Sequence, residues 1–162
     1  MSKWCTHKYI ENIGNLCQDI MELKIGYMDA EEFFNNQYSI AEMSSLRKLE
    51  VGFVWTDYHT LTKEGGEYFL RSIFNACPSL HSVKIHSHEM RKSVIVGKAM
   101  EFLPKGLKQL ELGCMDIELD AFVHADLSNV ESIKLVSCGQ YAEAIADSIN
   151  KEYGKICEQK TS

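Results

Sequence analysis

Large aliphatic residues recur along the chain as the first, fourth and sixth positions of a six-residue pattern. Five copies occur: Ile20–Leu23–Ile25, Leu46–Leu49–Val51, Leu80–Val83–Ile85, Leu107–Leu110–Leu112 and Val130–Ile133–Leu135. Successive copies begin 26, 34, 27 and 23 residues apart. The fourth and sixth positions are two residues apart and so share one face of a β-strand. The first lies on the turn into the strand and points into the same core. One such unit cannot bury its apolar face alone, but stacked units lay their strands into one parallel sheet over a continuous core. The pattern therefore predicts an α/β fold. Residues 1–162 form a single domain with about five parallel strands, and the return segments lie on the outer face.

The segments between copies carry helical periodicity. Residues 60–77 read as a helix, with Thr62 as N-cap and Tyr68, Phe69, Ile73 and Phe74 at apolar spacing. Residues 29–43 begin with Asp29 as a cap and place Phe33, Phe34 and Ile40 inward, and residues 92–103 do the same with Val94, Ala99 and Phe102. The return over 116–127 has room for only one or two helical turns. Five repeats thus occupy 20–138. An N-terminal cap over 1–19 contains Trp4, Tyr9, Ile10, Ile13 and Leu16. A C-terminal capping helix over 139–158 carries Ile145, Ile149, Tyr153 and Ile156.

Composition narrows the function classes. The net charge is −6, and the densest basic cluster, Lys105 to Lys108, holds two charges, so a phosphate-binding surface for nucleic acid is not expected. No run of about 18 apolar residues is present, and residues 1–15 lack the apolar stretch of a signal peptide. The six cysteines, at 5, 17, 77, 114, 138 and 157, form no C-x-x-C pair or zinc spacing. They read as reduced, mostly buried thiols. With no N-x-S/T site present, a cytoplasmic or otherwise intracellular protein is expected.

The repeat resembles the leucine-rich-repeat superfamily across residues 16–138, its period lying near the 20–29 residues of that class. The segment LTKEGGEYFLRSIFNACPSLHSVKI, 61–85, is similar to the long helical repeats of ribonuclease-inhibitor-like domains and NOD-like receptors. The Cys77-Pro78-Ser79-Leu80 step resembles the C-P-x-L step of F-box-type substrate receptors. The resemblance implies a short curved solenoid with helices on its convex face, used for protein recognition. The family's asparagine or cysteine, three places after the last motif aliphatic, is matched only by Cys138. The other positions hold Met28, Val54, His88 and Met115. No F-box-like segment or nucleotide-binding loop is present.

The residues between the motif aliphatics face outward. Lys24, Glu50, Lys84, Glu111 and Lys134 fall at one position of successive repeats, so opposite charges should stack strand to strand about 4.8 Å apart. This row reads both as a stabilising cross-strand ladder and as a polar recognition strip. Gly26, Gly52, His86, Gly113 and Val136 follow it, the glycines leaving backbone open to a partner or easing the strand into its turn. Tyr27, Phe53 and Trp55 are candidate aromatic anchors on the rim, since binding energy concentrates in such residues. His81, His86 and His88 lack acidic or cysteine ligands at fixed offsets beyond Glu89, so no metal or other cofactor is expected. No catalytic motif such as G-x-S-x-G occurs, and an enzyme is not expected. The expected function is a protein–protein interaction module or adaptor that binds a protein partner through its concave face or rim. The alternative is the repeat portion of a larger immune receptor or ubiquitin-ligase substrate receptor.

Overall fold

The computed structural model of the chain describes residues 19–29, 44–54, 63–87, 95–96 and 98–160. Six strands form one parallel sheet. They are β1 (Glu22–Asp29), β2 (Lys48–Val54), β3 (Ser82–Ser87), β5 (Gln109–Gly113), β7 (Ser132–Val136) and β8 (Cys157–Lys160). Their order in space follows the chain, β1-β2-β3-β5-β7-β8. Two short strands, β4 (Ile95–Val96) and β6 (Asp116–Ile117), pair parallel as a separate small sheet. Helices α1 (Lys63–Ala76) and α2 (Ala142–Tyr153) and a 3-10 segment at Lys98–Phe102 complete the described elements.

The aliphatic pattern is the core. Every motif residue from Leu23 to Leu135 is buried, and Ile20 packs half-buried against the others. The chain also starts successive strands in the same way. The carbonyl of Met21 accepts from the N–H groups of both Arg47 and Lys48, at 2.8 and 3.0 Å. The carbonyls of Arg47, His81 and Lys108 repeat this fork toward His81 and Ser82, Lys108 and Gln109, and Glu131 and Ser132. Before three of the strands a four-residue turn recurs: Leu80 N–H donates to Cys77, Leu107 to Pro104 and Val130 to Leu127. Pro78 takes the second position of the first such turn, where its fixed φ fits.

Helix α1 lays Leu70, Ile73 and Phe74 into the core at three- and four-residue spacing and ends at Ala76, two residues before Pro78, which could not continue it. Its Arg71 lies 4.3 Å from the Phe102 ring centroid, and Glu67 accepts from the Lys98 N–H at 2.9 Å, so helix and 3-10 segment are tied together. Helix α2 buries Ala142, Ile145, Ala146 and Ile149 on one face and stops at Gly154, whose φ of 82° suits glycine.

Several expectations need correction. Residues 92–103 do not form the predicted helix. The described part is the Ile95–Val96 strand followed by the 3-10 segment, because β-branched residues lead in and Pro104 bars Leu103 from helical backbone. Residues 118–125 form successive i→i+3 turns and no helix. The cap predicted over 139–158 is shorter: α2 ends at Tyr153, and Cys157–Lys160 returns as a sixth strand beside β7. Asp29 is the last residue of β1, and the helix expected to follow it lies outside the described residues. The expected caps at 1–18 and the helical body of 30–43 lie outside the described residues.

Candidate functional site

One face of the sheet rests on the core. The opposite, open face carries the polar rows. The strand register aligns Lys24 with Glu50, Glu50 with Lys84, Lys84 with Glu111 and Glu111 with Lys134, as the repeat spacing predicts. Strand β8 adds Glu158 beside Lys134, so the alternation of sign continues through a sixth strand. Sequence reasoning missed Glu158 because its strand has no aliphatic triplet: Cys157 is its one buried apolar residue.

The row is not a uniform ladder. Lys24 Nζ lies 2.9 Å from a Glu50 carboxylate oxygen, and Lys84 Nζ lies 3.1 Å from Glu111. The same Glu111 oxygen accepts from His86 Nε2–H at 2.9 Å. Glu22 and Glu158 take Lys48 and Lys160 at 3.6 and 3.7 Å. Each open-face glutamate thus has its own lysine, and among the described residues Lys134 has no ion-pair partner. Lys48, Glu50, Ser82, Lys84, Gln109, Glu111, Ser132 and Lys134 line a depression of about 240 Å³ at the middle of the sheet.

The pairing perturbs both central carboxylates. The hydrogen bond from Lys24 holds Glu50 below the usual carboxylate range. Partial burial pushes Glu111 up, but hydrogen bonds from Lys84 and His86 outweigh it and leave the group lowered. A carboxylate depressed in the folded state contributes stability that is present above its unfolded pKa and lost as pH falls through its folded pKa. Chemical unfolding of the wild type is therefore expected to show a loss of stability as pH falls below the ordinary glutamate value of about 4.3. Glu111→Gln should flatten part of that acid limb. An acid limb of unchanged steepness in the Gln variant contradicts the assignment.

His86 sits between Gly52 and Gly113 on the flanking strands. A Cβ at Gly113 would lie 2.3 Å from His86 Nδ1, so the missing side chain is the space that the imidazole fills. The glycine row is therefore not an open stretch of backbone: Gly52 and Gly113 are buried, while a Cβ at Gly26 would meet open space. His81 Nδ1 lies 2.7 Å from the Ser79 carbonyl, and His88 lies outside the described residues. Among the described residues no group of three or more His, Cys, Asp or Glu is placed to hold a metal ion.

The aromatic rim is corrected. Phe53 is 1% exposed. Strand β2 runs straight to Val54, so side-chain alternation puts Leu49, Val51 and Phe53 on the core face. Nor is Tyr27 its neighbour: an irregularity in β1 between Ile25 and Met28 sets Met28 opposite Phe53. Trp55 lies outside the described residues.

Cys77, Cys138 and Cys157 are buried, and Cys114 is half-exposed. Burial pushes Cys77 and Cys157 up to about 12 and Cys138 up to about 11, so these thiols stay protonated at neutral pH. The Cys138 thiol donates to the Leu112 carbonyl at 3.1 Å, linking its turn to the preceding strand. Cys5 and Cys17 lie outside the described residues. Alkylation of the native protein should modify Cys114 well before Cys77, Cys138 or Cys157, read by peptide mass mapping. Equal rates at Cys114 and Cys138 contradict the burial order.

No protein-family model matches the chain, and no curated protein or solved structure is significantly similar to it. No helix among the described residues is long and apolar enough to cross a membrane.

Proposed function

We propose that the chain is a short, curved leucine-rich-repeat solenoid that acts as a protein–protein interaction module or adaptor, holding a protein partner on the open face of its sheet. The observation that carries this reading is the open face itself: six paired strands present charged and polar side chains, the four inner ones around a depression, with no helix laid over them among the described residues. Exposed ion pairs are each worth only about 0.2–1 kcal/mol to stability, so a sheet-wide row of them is a weak stabiliser but a specific electrostatic pattern. The forked turns and the thiol bond from Cys138 to the preceding strand support the repeat reading, since the family's cysteine position joins neighbouring turns. A reducing, intracellular setting is proposed with it, because oxidation of Cys138 would remove that bond.

The test is affinity capture on immobilised protein, comparing the wild type with a Glu50→Lys/Lys84→Glu variant and a Lys151→Glu control on α2. Folding of each is checked by circular dichroism. A partner retained by wild type and control but lost by the open-face variant is expected. A partner held equally by all three overturns the open-face assignment.

A further inference from the structure

We infer that the open face takes an acidic segment of its protein partner, with Lys134 as the anchor for a carboxylate. This rests on the interaction-face reading and adds the partner's chemistry to it. The four open-face glutamates are each spent on a lysine of the same face, and Glu111 is spent twice, on Lys84 and on His86. Five lysines stand against those four glutamates, so the face is net +1 on a chain of net −6, leaving −7 for all other residues. The unmatched cation is Lys134. Its register neighbours Glu111 and Glu158 flank it, but both are held by other cations.

The groups around Lys134 are suited to an anion. Ser132 lies two residues earlier on the same face of β7, and Gln109 is its register partner on β5. Both line the central depression with Lys134 and Lys84. The Gln109 carbonyl oxygen accepts from Ser82 Oγ at 3.4 Å, which leaves its NH₂ group to donate. One ammonium, one amide and one hydroxyl thus face the depression as donors, and a carboxylate offers acceptors to match. The charge elsewhere on the molecule enforces orientation. An acidic partner meets net positive charge on this face against a net −7 for the other residues together, an arrangement that selects approach direction more than raw affinity.

The test is an NMR titration of the full chain, following backbone amides and lysine Nζ groups, with an N-acetylated, C-amidated hexaglutamate peptide. Saturable shifts at Gln109, Ser132 and Lys134 are expected. Lys134→Gln should weaken binding about threefold to fivefold, the size of one partly exposed ion pair, while Lys151→Gln leaves it unchanged. Added salt should weaken the wild type more than Lys134→Gln. Shifts confined to other surfaces, or binding indifferent to Lys134→Gln, overturn the proposal. So does tighter binding at these residues by hexalysine, or by a hexathymidylate of similar charge, which would reassign the face to a basic or a nucleic-acid partner. Failure here with partner capture still sensitive to Glu50→Lys/Lys84→Glu removes only the acidic-segment proposal. Failure of both removes the interaction face as well.

Discussion

Replacing Leu112 with alanine is expected to lower the unfolding free energy by about 3–4 kcal/mol, near the middle of the range for buried leucines. Leu112 is 0% exposed on β5, an interior strand, and its register neighbours Ile85 and Leu135 are equally buried. The neighbouring strands are pinned by their own ladder bonds, so they cannot close the cavity. Leu23 occupies a motif position on the edge strand β1 and is 7% exposed, so Leu23→Ala should cost less, about 2 kcal/mol. Urea unfolding checks both values. Equal losses at the two sites, or a Leu112 effect below about 1.5 kcal/mol, would mean that the sheet interior is not the continuous core described above.

The second large effect is expected at Asn150, near the end of α2. Its side-chain Oδ1 accepts from the N–H groups of Ile156 and Cys157, at 2.9 and 2.8 Å, and its Nδ2 donates to the Cys157 carbonyl at 2.9 Å. The Ile156 carbonyl accepts from β7, so the backbone groups of Cys157 point to the free edge of the sheet. The Asn150 amide pairs them as a further strand would, and in doing so blunts the edge. Asn150→Ala removes three bonds from part-buried backbone and should cost about 2–3 kcal/mol. Asn150→Asp keeps the acceptor but sets a carboxylate oxygen against the Cys157 carbonyl, so it should recover only part of the loss. Hydrogen exchange separates the two variants: the Cys157 amide exchanges fast in the alanine variant and remains slowed in the aspartate one, while the Ile156 N–H also donates to the Gly154 carbonyl at 2.7 Å and is less affected. A wild-type exchange rate at Cys157 in Asn150→Ala contradicts the capping role.

The parts of this molecule that could be read from its residues are those set by a local period. Leu110, Glu111 and Leu112 alternate core, open face and core, and a one-residue slip would send every side chain of the strand to the wrong face. The repeat spacing alone therefore aligned Lys24, Glu50, Lys84, Glu111 and Lys134, as the strand register has them. The failures lie where contacts distant in sequence decide the outcome. Strand β8 has no aliphatic triplet, since its last turn is held by Asn150 and not by a full apolar face. Phe53 reads as a rim aromatic if β2 stops at Gly52, and as core once the strand continues to Val54. Gly113 resembles exposed backbone until His86, 27 residues earlier, is seen to fill the space above it. The odd lysine was hidden for a related reason: all five ladder charges alternate, and only the rotamers of Glu111, Lys84 and His86 show which of them is left unpaired.

The open face as the interaction surface is tested most directly by lysine-reactivity footprinting of the chain alone and bound to its captured partner. Lys24, Lys84 and Lys134 should lose acetylation in the complex, while Lys105, Lys151 and Lys155 keep theirs. Unchanged reactivity at Lys84 and Lys134, with protection at Lys151 or Lys155, would place the partner on the helical side and contradict it.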